Sequence, residues 1–182
     1  SSCRIIPIPE SLVRSQIISA VDTSIQEHNQ SSSNDLSKRR ETQVEIDNTG
    51  ILVRLRLKAA INNFPDPDIN VDMKIGLGVG PGNTVSVFYR SFSVDVDWPW
   101  WVTAISLGIT LIVEEIVERR IEGDIKSKIL NTLRTQINAA ASQIPGVLAN
   151  IQTLQDELRL KICWVKETLI TIVDIDEMGK VI

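Results

Sequence analysis

From Pro9 to His28 the apolar residues Leu12, Val13, Ile17, Ile18, Val21 and Ile25 recur at spacings of three and four. That is the period of an amphipathic helix, and Pro9 stands where an early helical proline is tolerated, so a helix is expected over 9–28. Residues 29–42, rich in serine and carrying Asn34, Asp35, Lys38, Arg39 and Arg40, have little to bury and read as a polar loop. The period then falls to two. Val44 and Ile46 begin it, Asn48, Thr49 and Gly50 interrupt it as a turn, and Ile51, Val53, Leu55, Leu57, Ala59 and Ile61 continue it against Arg54, Arg56 and Lys58 on the opposite face.

After Pro65 and Pro67, Ile69 to Val79 alternate in the same way, and Gly80, Pro81, Gly82 and Asn83 turn the chain into a further strand from Val85 to Asp97. In that strand the apolar set shifts from Val85, Val87 and Tyr89 to Phe92, Val94 and Val96, a change of parity that requires a bulge or a bend. Antiparallel strands are therefore expected over 43–97. The pattern next becomes helical over 100–144, with Ile109, Ile112, Val113, Ile116, Ile121, Ile125, Ile129, Leu133 and Ile137 forming its stripe. Gly123 followed by Asp124 offers a helix stop and a new N-cap, but the apolar stripe continues across it, so one long or gently broken helix is expected, and Pro145 and Gly146 end it. A weaker helical spacing in Val147, Leu148, Ile151 and Leu154 leads to strand-like segments within 158–175. The whole reads as one α+β domain over 1–182.

The junction between strand and helix changes the picture most. Trp98, Trp100 and Trp101 are three of the chain's 4 tryptophans, and the 16 residues from Trp98 to Val113 carry no charge. As a helix that stretch is about 24 Å long, short of the roughly 30 Å of a bilayer core, so a single membrane span is not expected. The three tryptophans instead suit a membrane interface, the mouth of a lipid-holding cavity, or a core corner.

Composition bounds the rest. With 182 residues, 43% hydrophobic and 23% charged, the chain can bury a substantial core. Its net charge of −4 offers no general attraction to nucleic acid. Lys38, Arg39 and Arg40 stand in the polar loop, where a solvated tether is the usual role. Cys3 and Cys163 lie in no metal or redox motif; they either pair, in an oxidising compartment, or remain two separate thiols. The start at Ser1, Ser2, Cys3, without an initiator methionine, is what a processed or a truncated chain is expected to show. Asn29, Gln30 and Ser31 form a glycosylation-type sequon.

Reactive groups are scarce. The single histidine, His28, sits beside a helix end and a polar loop, and a satisfied surface imidazole is its expected role. Asp66, Asp68, Asn70 and Asp72 have calcium-ligand spacing but lack the glycine and glutamate of the usual loop, so ordinary strand alternation is the expected reading. Glu114, Glu115 and Glu118 alternate with Arg119 and Arg120 as a solvated helical face does. The glycines 76, 78, 80 and 82 are followed by no helix and do not read as a phosphate loop. No cofactor, no metal and no catalytic residue is expected.

The element order from Pro9 to Ile175, with Ile51–Ile61, Ile69–Val79 and Val85–Asp97 as long strands before a Thr103–Ile144 helix, resembles the tubular lipid-binding superfamily. Its members include the bactericidal permeability-increasing and synaptotagmin-like mitochondrial lipid-binding domains. The resemblance implies a long, strongly curved antiparallel sheet wrapped around a long apolar helix, with acyl chains held between them. It also implies a cavity lined by Leu55, Leu57, Ile75, Leu77, Phe92, Val94, Ile109, Ile112 and Ile116, with Trp98, Trp100 and Trp101 at a membrane interface. The 4% aromatic content suits an aliphatic lining and suits an ordinary core equally. The expected function is non-catalytic binding of a lipid or other apolar small molecule. The alternatives are a protein–protein assembly module and a membrane-active toxin component using Trp98 to Val113. Secretion or membrane association are the settings these features suit.

Overall fold

The computed structural model describes residues 2–47, 49–79, 85–102, 107–142, 159–165 and 168–175. It is an α+β structure with two antiparallel sheets. The larger joins β2 (Leu36–Lys38), β3 (Gln43–Asp47), β4 (Gly50–Ala59), β5 (Asp68–Val79) and β6 (Val85–Asp97), in the order β2-β4-β5-β6 with β3 also on β4. The smaller joins β1 (Ser2–Pro9), β8 (Thr168–Ile175) and β7 (Arg159–Val165), in the order β1-β8-β7. Helix α1 (Glu10–Ser31) follows β1, and a helical run follows β6: α2 (Leu107–Glu115), a π-helical segment (Ile116–Ile125) and α3 (Lys126–Ser142).

Alternation decides which face of the larger sheet is covered. Ile51, Val53, Leu55, Leu57 and Ala59 of β4 are buried, as are Ile69, Val71, Met73, Ile75 and Leu77 of β5. On the opposite face Arg56 meets Asp72 at 3.0 Å, and Lys58 and Arg39 meet Asp68 at 3.9 Å and 3.4 Å. The cationic centre of β4 is thus matched by the acids of β5. The expected parity change in β6 is present: Lys74 pairs with Ser91 and Ile75 with Tyr89, leaving Arg90 as the bulged residue. The bulge puts Tyr89 and Phe92 on one face, their rings edge to face at 5.3 Å. Lys126 lies over both rings, and the Tyr89 hydroxyl donates to the Lys126 carbonyl at 2.7 Å, tying β6 to the start of α3.

Glycines in β5 and at the start of β4 have specific work. On the outer face Phe88 lies over Gly76, where a Cβ would come within 2.8 Å of the ring and 2.7 Å of Arg90 Nε. At Gly50 (φ 155°) a Cβ would fall 2.4 Å from the Ile75 carbonyl oxygen. The turn before it is fixed by Asp47 Oδ1, which accepts from the Thr49 and Gly50 amides at 2.7 Å and 3.0 Å. The Thr49 hydroxyl, which donates to the same oxygen at 2.6 Å, together with these amide bonds holds the Asp47 carboxyl below its ordinary pKa.

Several expectations need correction. The larger sheet is not strongly curled: β4 and β5 pair in unbroken register and the β5–β6 ladder shifts once, so it stays open with β6 at an edge. The first helix runs over Glu10–Ser31 rather than 9–28, and a strand precedes it. The loop expected over 29–42 contains β2, because Leu36 is buried and pairs with Ala59. β2 and β3 run end to end along one edge of β4, the Arg39 amide bonding the Arg56 carbonyl between them at 2.8 Å. The long helix starts at Leu107 instead of 100, and Gly123 lies inside the π segment without ending it. Only its first turns are apolar all round, since the rest exposes charged residues on one side. The C-terminal strands pair with β1, not with the larger sheet. The turn at 80–83 and the helical spacing over 147–154 lie outside the described residues.

Candidate functional site

The end of the larger sheet where β4 and β6 finish and β5 begins carries most of the exposed large apolar side chains among the described residues, Leu12 and Phe88 lying elsewhere. β4 leaves the sheet at Ala59 and the chain returns at Asp68, which pairs with Asp97, the last residue of β6. The connecting loop is closely bonded: the Ala59 amide reaches the Pro67 carbonyl at 3.2 Å, and the Phe64 amide the Ile61 carbonyl at 3.1 Å. Asp66 Oδ1 accepts from the Ile61 amide at 3.3 Å. Asn63 takes the left-handed conformation (φ 67°), which asparagine tolerates, and Phe64 is carried outward at the loop tip.

The neighbouring wall is the end of α1. His28 is buried there, and its Nε2–H donates to the Asn34 carbonyl at 2.6 Å. The Asn29 side-chain amide donates to the Leu36 carbonyl at 2.8 Å while its Oδ1 accepts from the Leu36 amide at 2.7 Å, so one side chain serves as a strand partner for β2. The Asp35 carbonyl takes the Ala60 amide at 2.8 Å. These bonds hold residues 32–35 against the end of α1 and the end of β4. They also engage the Asn29 amide, which makes the sequon a structural element. The expectation of a satisfied surface imidazole needs correction: the ring is buried, bonded at Nε2, and its Nδ1 has no partner among the described residues.

Two depressions open between these walls and α2. One of about 390 Å³ is lined by Ser33, Asn34, Ile61, Asn62, Phe64, Gly108, Ile109 and Ile112. The other, of about 210 Å³, is more polar and is lined by His28, Ser31, Ser32, Asn34, Ile112, Glu115, Ile116, Arg119 and Arg120. Asn34 and Ile112 belong to both. In the polar one Arg119 pairs with Glu115 at 3.2 Å, and Arg120 reaches Asp124 at 2.8 Å and Ser31 Oγ at 3.2 Å. A third depression, between α1 and α3, is lined by Gln16, Asn131, Thr132, Thr135, Gln136 and Ala139.

Of the residues expected to line a cavity, Leu55, Leu57, Ile75 and Leu77 are buried in the core beneath the helices, and Phe92 and Val94 are half-buried against it. Ile109, Ile112 and Ile116 are the members of that set that border the depressions. The tryptophans divide in the same way. Trp98 packs on the core, whereas Trp100 and Trp101 occupy a turn closed by the Val102 amide and the Pro99 carbonyl at 2.9 Å. Around this end exposure runs from 46% for Phe64, through Leu111, Trp101 and Leu107, to 93% for Trp100. Phe64, Leu107 and Leu111 were not singled out in the sequence. Their signal is indirect, an aromatic just ahead of Pro65 and Pro67 and leucines in the first turns of the helical run.

The remaining candidates resolve structurally. Asp68 and Asp72 are ion-paired across the sheet, and no group of three metal-ligating side chains occurs among the described residues. Lys38 bonds to Asp22 at 2.7 Å and Glu41 at 3.0 Å, which raises its pKa against the opposing effect of burial. Cys3 pairs with Asp174 and Cys163 with Ile170, on the two outer strands of the smaller sheet. Two strand spacings and a four-residue offset put their Cα atoms about 16 Å apart, beyond the roughly 7 Å a disulfide allows. The pairing alternative is therefore overturned in favour of separate thiols. No helix among the described residues is long and apolar enough to cross a membrane.

The fold and this site define an α+β protein with an open apolar end. No family model and no curated protein matches the chain. Among solved structures it is faintly similar to one described as "Crystal structure of lipopolysaccharide binding protein", at 12% identity and a TM-score of 0.26. The similarity covers 92% of this chain and 48% of that one, so the chain spans about half the length of that protein.

Proposed function

We propose that the protein binds a lipid acyl chain or similar apolar ligand without transforming it, in the open groove between Phe64 and Ile112. The observation that supports this reading is the groove itself. Its floor is Ile61, Ile109 and Ile112, its volume of about 390 Å³ lies within the range of small-molecule sites, and Phe64 stands exposed at its rim. A site of this kind needs apolar walls and a few fixed polar groups, here Ser33, Asn34 and Asn62, and no acid–base pair. The reading moves the ligand from between sheet and helix to the sheet end. Kinship with the tubular lipid-binding proteins is part of the reading and rests on element order.

The test is direct. Lipid extraction and mass spectrometry of the purified protein should return a co-purified single-chain or acyl lipid, and a fluorescent fatty acid presented as a soluble monomer should bind saturably. Protein that carries no lipid and takes up no probe refutes the reading.

A further inference from the structure

We propose that the aromatic end of the larger sheet is a docking surface for a zwitterionic, choline-bearing bilayer, an inference that rests on the acyl-binding reading of the adjoining groove and gives the ligand its source. Two observations carry it. The first is chemical type and placement: Trp100, Trp101, Phe64, Leu107 and Leu111 are exposed on the turn after β6, the loop before β5 and the first turns of α2. Indole rings have an apolar body and a polar N–H, and they favour the headgroup boundary of a membrane.

The second observation is charge. The exposed charged residues interspersed with these side chains are carboxylates: Asp66 beyond Phe64, Asp95 and Asp97 before the tryptophan turn, and Glu114 beyond Leu111. The cations nearest in the fold are engaged, Arg39 and Lys58 with Asp68 and Arg119 with Glu115. A surface of aromatic faces and carboxylates complements a quaternary ammonium, which binds over indole rings and is drawn to acids. It repels phosphatidylglycerol or phosphatidylserine, and with a net charge of −4 the whole chain adds to that repulsion. A protein partner would use the same apolar residues but would give no preference between lipid headgroups. The docking is peripheral, because insertion involves side chains of two turns and a helix start.

Flotation and tryptophan emission with phosphatidylcholine vesicles test the proposal on the full chain. Binding with a shift to shorter wavelength is expected, little changed by high salt and weakened when phosphatidylglycerol replaces part of the phosphatidylcholine. The double variant Trp100→Ser/Trp101→Ser should lower vesicle binding at least about tenfold while soluble fatty-acid uptake is retained. Asp95→Asn/Asp97→Asn should narrow the preference for phosphatidylcholine over phosphatidylglycerol vesicles; both pairs are on the surface, and circular dichroism verifies that they fold. No binding to phosphatidylcholine vesicles, or binding that increases with anionic lipid, overturns the docking proposal whatever the uptake result. Vesicle binding without any fatty-acid uptake refutes the groove instead, and leaves docking standing.

Discussion

A carboxylate introduced at Ile112 and one introduced at Ile116 should have opposite consequences, although the two residues lie one helical turn apart on the same stripe. Ile116 is 5% exposed and packs in the core with only an edge on the polar depression, whereas Ile112 is half-buried and borders both depressions. Ile116→Glu forfeits roughly 1.5–3 kcal/mol of side-chain burial, and the buried acid adds a desolvation penalty of several kcal/mol. The sum reaches about 5 kcal/mol or more, comparable with the whole stability of an ordinary domain. At position 112 the carboxylate can reach water through the depressions, so the loss is limited to part of the apolar contact, about 1–2 kcal/mol. An acyl chain crossing that position, however, must either dehydrate the acid or give up the contact. A penalty of 3 kcal/mol or so corresponds to more than about a hundredfold in affinity. Urea unfolding followed by circular dichroism, paired with titration of a fluorescent fatty acid, reads both quantities. Ile112→Leu keeps the apolar volume and should bind as the parent does. A folded Ile112→Glu protein with undiminished uptake refutes the groove as the site, and an Ile116→Glu protein of parental stability refutes the core placement.

Other consequences are simpler to state. Tyr89→Phe removes the 2.7 Å bond to the Lys126 carbonyl and should lower stability by about 1 kcal/mol in urea titrations. Burial raises the Tyr89 pKa above its ordinary 10.0, so the neutral phenol stabilises the fold fully below pH 10 and that contribution is lost as pH rises beyond it. Alkaline unfolding of the parent should therefore show a component that Tyr89→Phe lacks. Gly76→Val drives a side chain into Phe88 and should cost about 1–3 kcal/mol, less in a Phe88→Ala background, with a measurable coupling in the double-mutant cycle. Both cysteines should react with an alkylating reagent in unfolded, unreduced protein, and melting curves should be the same with and without reductant; a missing pair of thiols would contradict the strand register.

Much of the architecture was legible because alternation is a strong signal. The residues of β4 and β5 named as one face are that face, and the shift of parity between Tyr89 and Phe92 located the bulge at Arg90. β1 and β2 were not legible. β2 is three residues long and depends on a tertiary device, the Asn29 amide bonding both backbone groups of Leu36. β1 is defined by pairing with β8, more than 160 residues away in sequence, and Pro7 and Pro9 weaken its local strand signal. The site suffered from a different ambiguity. Alternation says which side chains share a face, and it cannot say whether that face is sealed by a helix or left open to a ligand. Leu55, Leu57 and Ile75 were grouped with Ile109 and Ile112 for that reason, and only the packing of α1 and the helical run over the sheet separates core from rim.

The helical run shows how that separation is built into the sequence. Its fully covered positions after Ile116 are Ile121, Ile125, Ile129, Leu133 and Ile137, one step of five and then steps of four. Along the regular turns of α3 each step of four overshoots a 3.6-residue turn by about 40°, so the stripe winds slowly round the helix. The π segment holds the earlier positions Ile116, Ile121 and Ile125 in line by widening the turns, the Lys126 amide reaching back five residues to the Ile121 carbonyl. Gly123 sits inside the widened turns, so the helical run continues across it, and the Tyr89 hydroxyl secures the segment's end through the Lys126 carbonyl. On the other side of the segment α2 buries Ile109 and Val113 while leaving Leu107 and Leu111 to solvent, which is how one helical run serves the core along most of its length and the exposed end at its start.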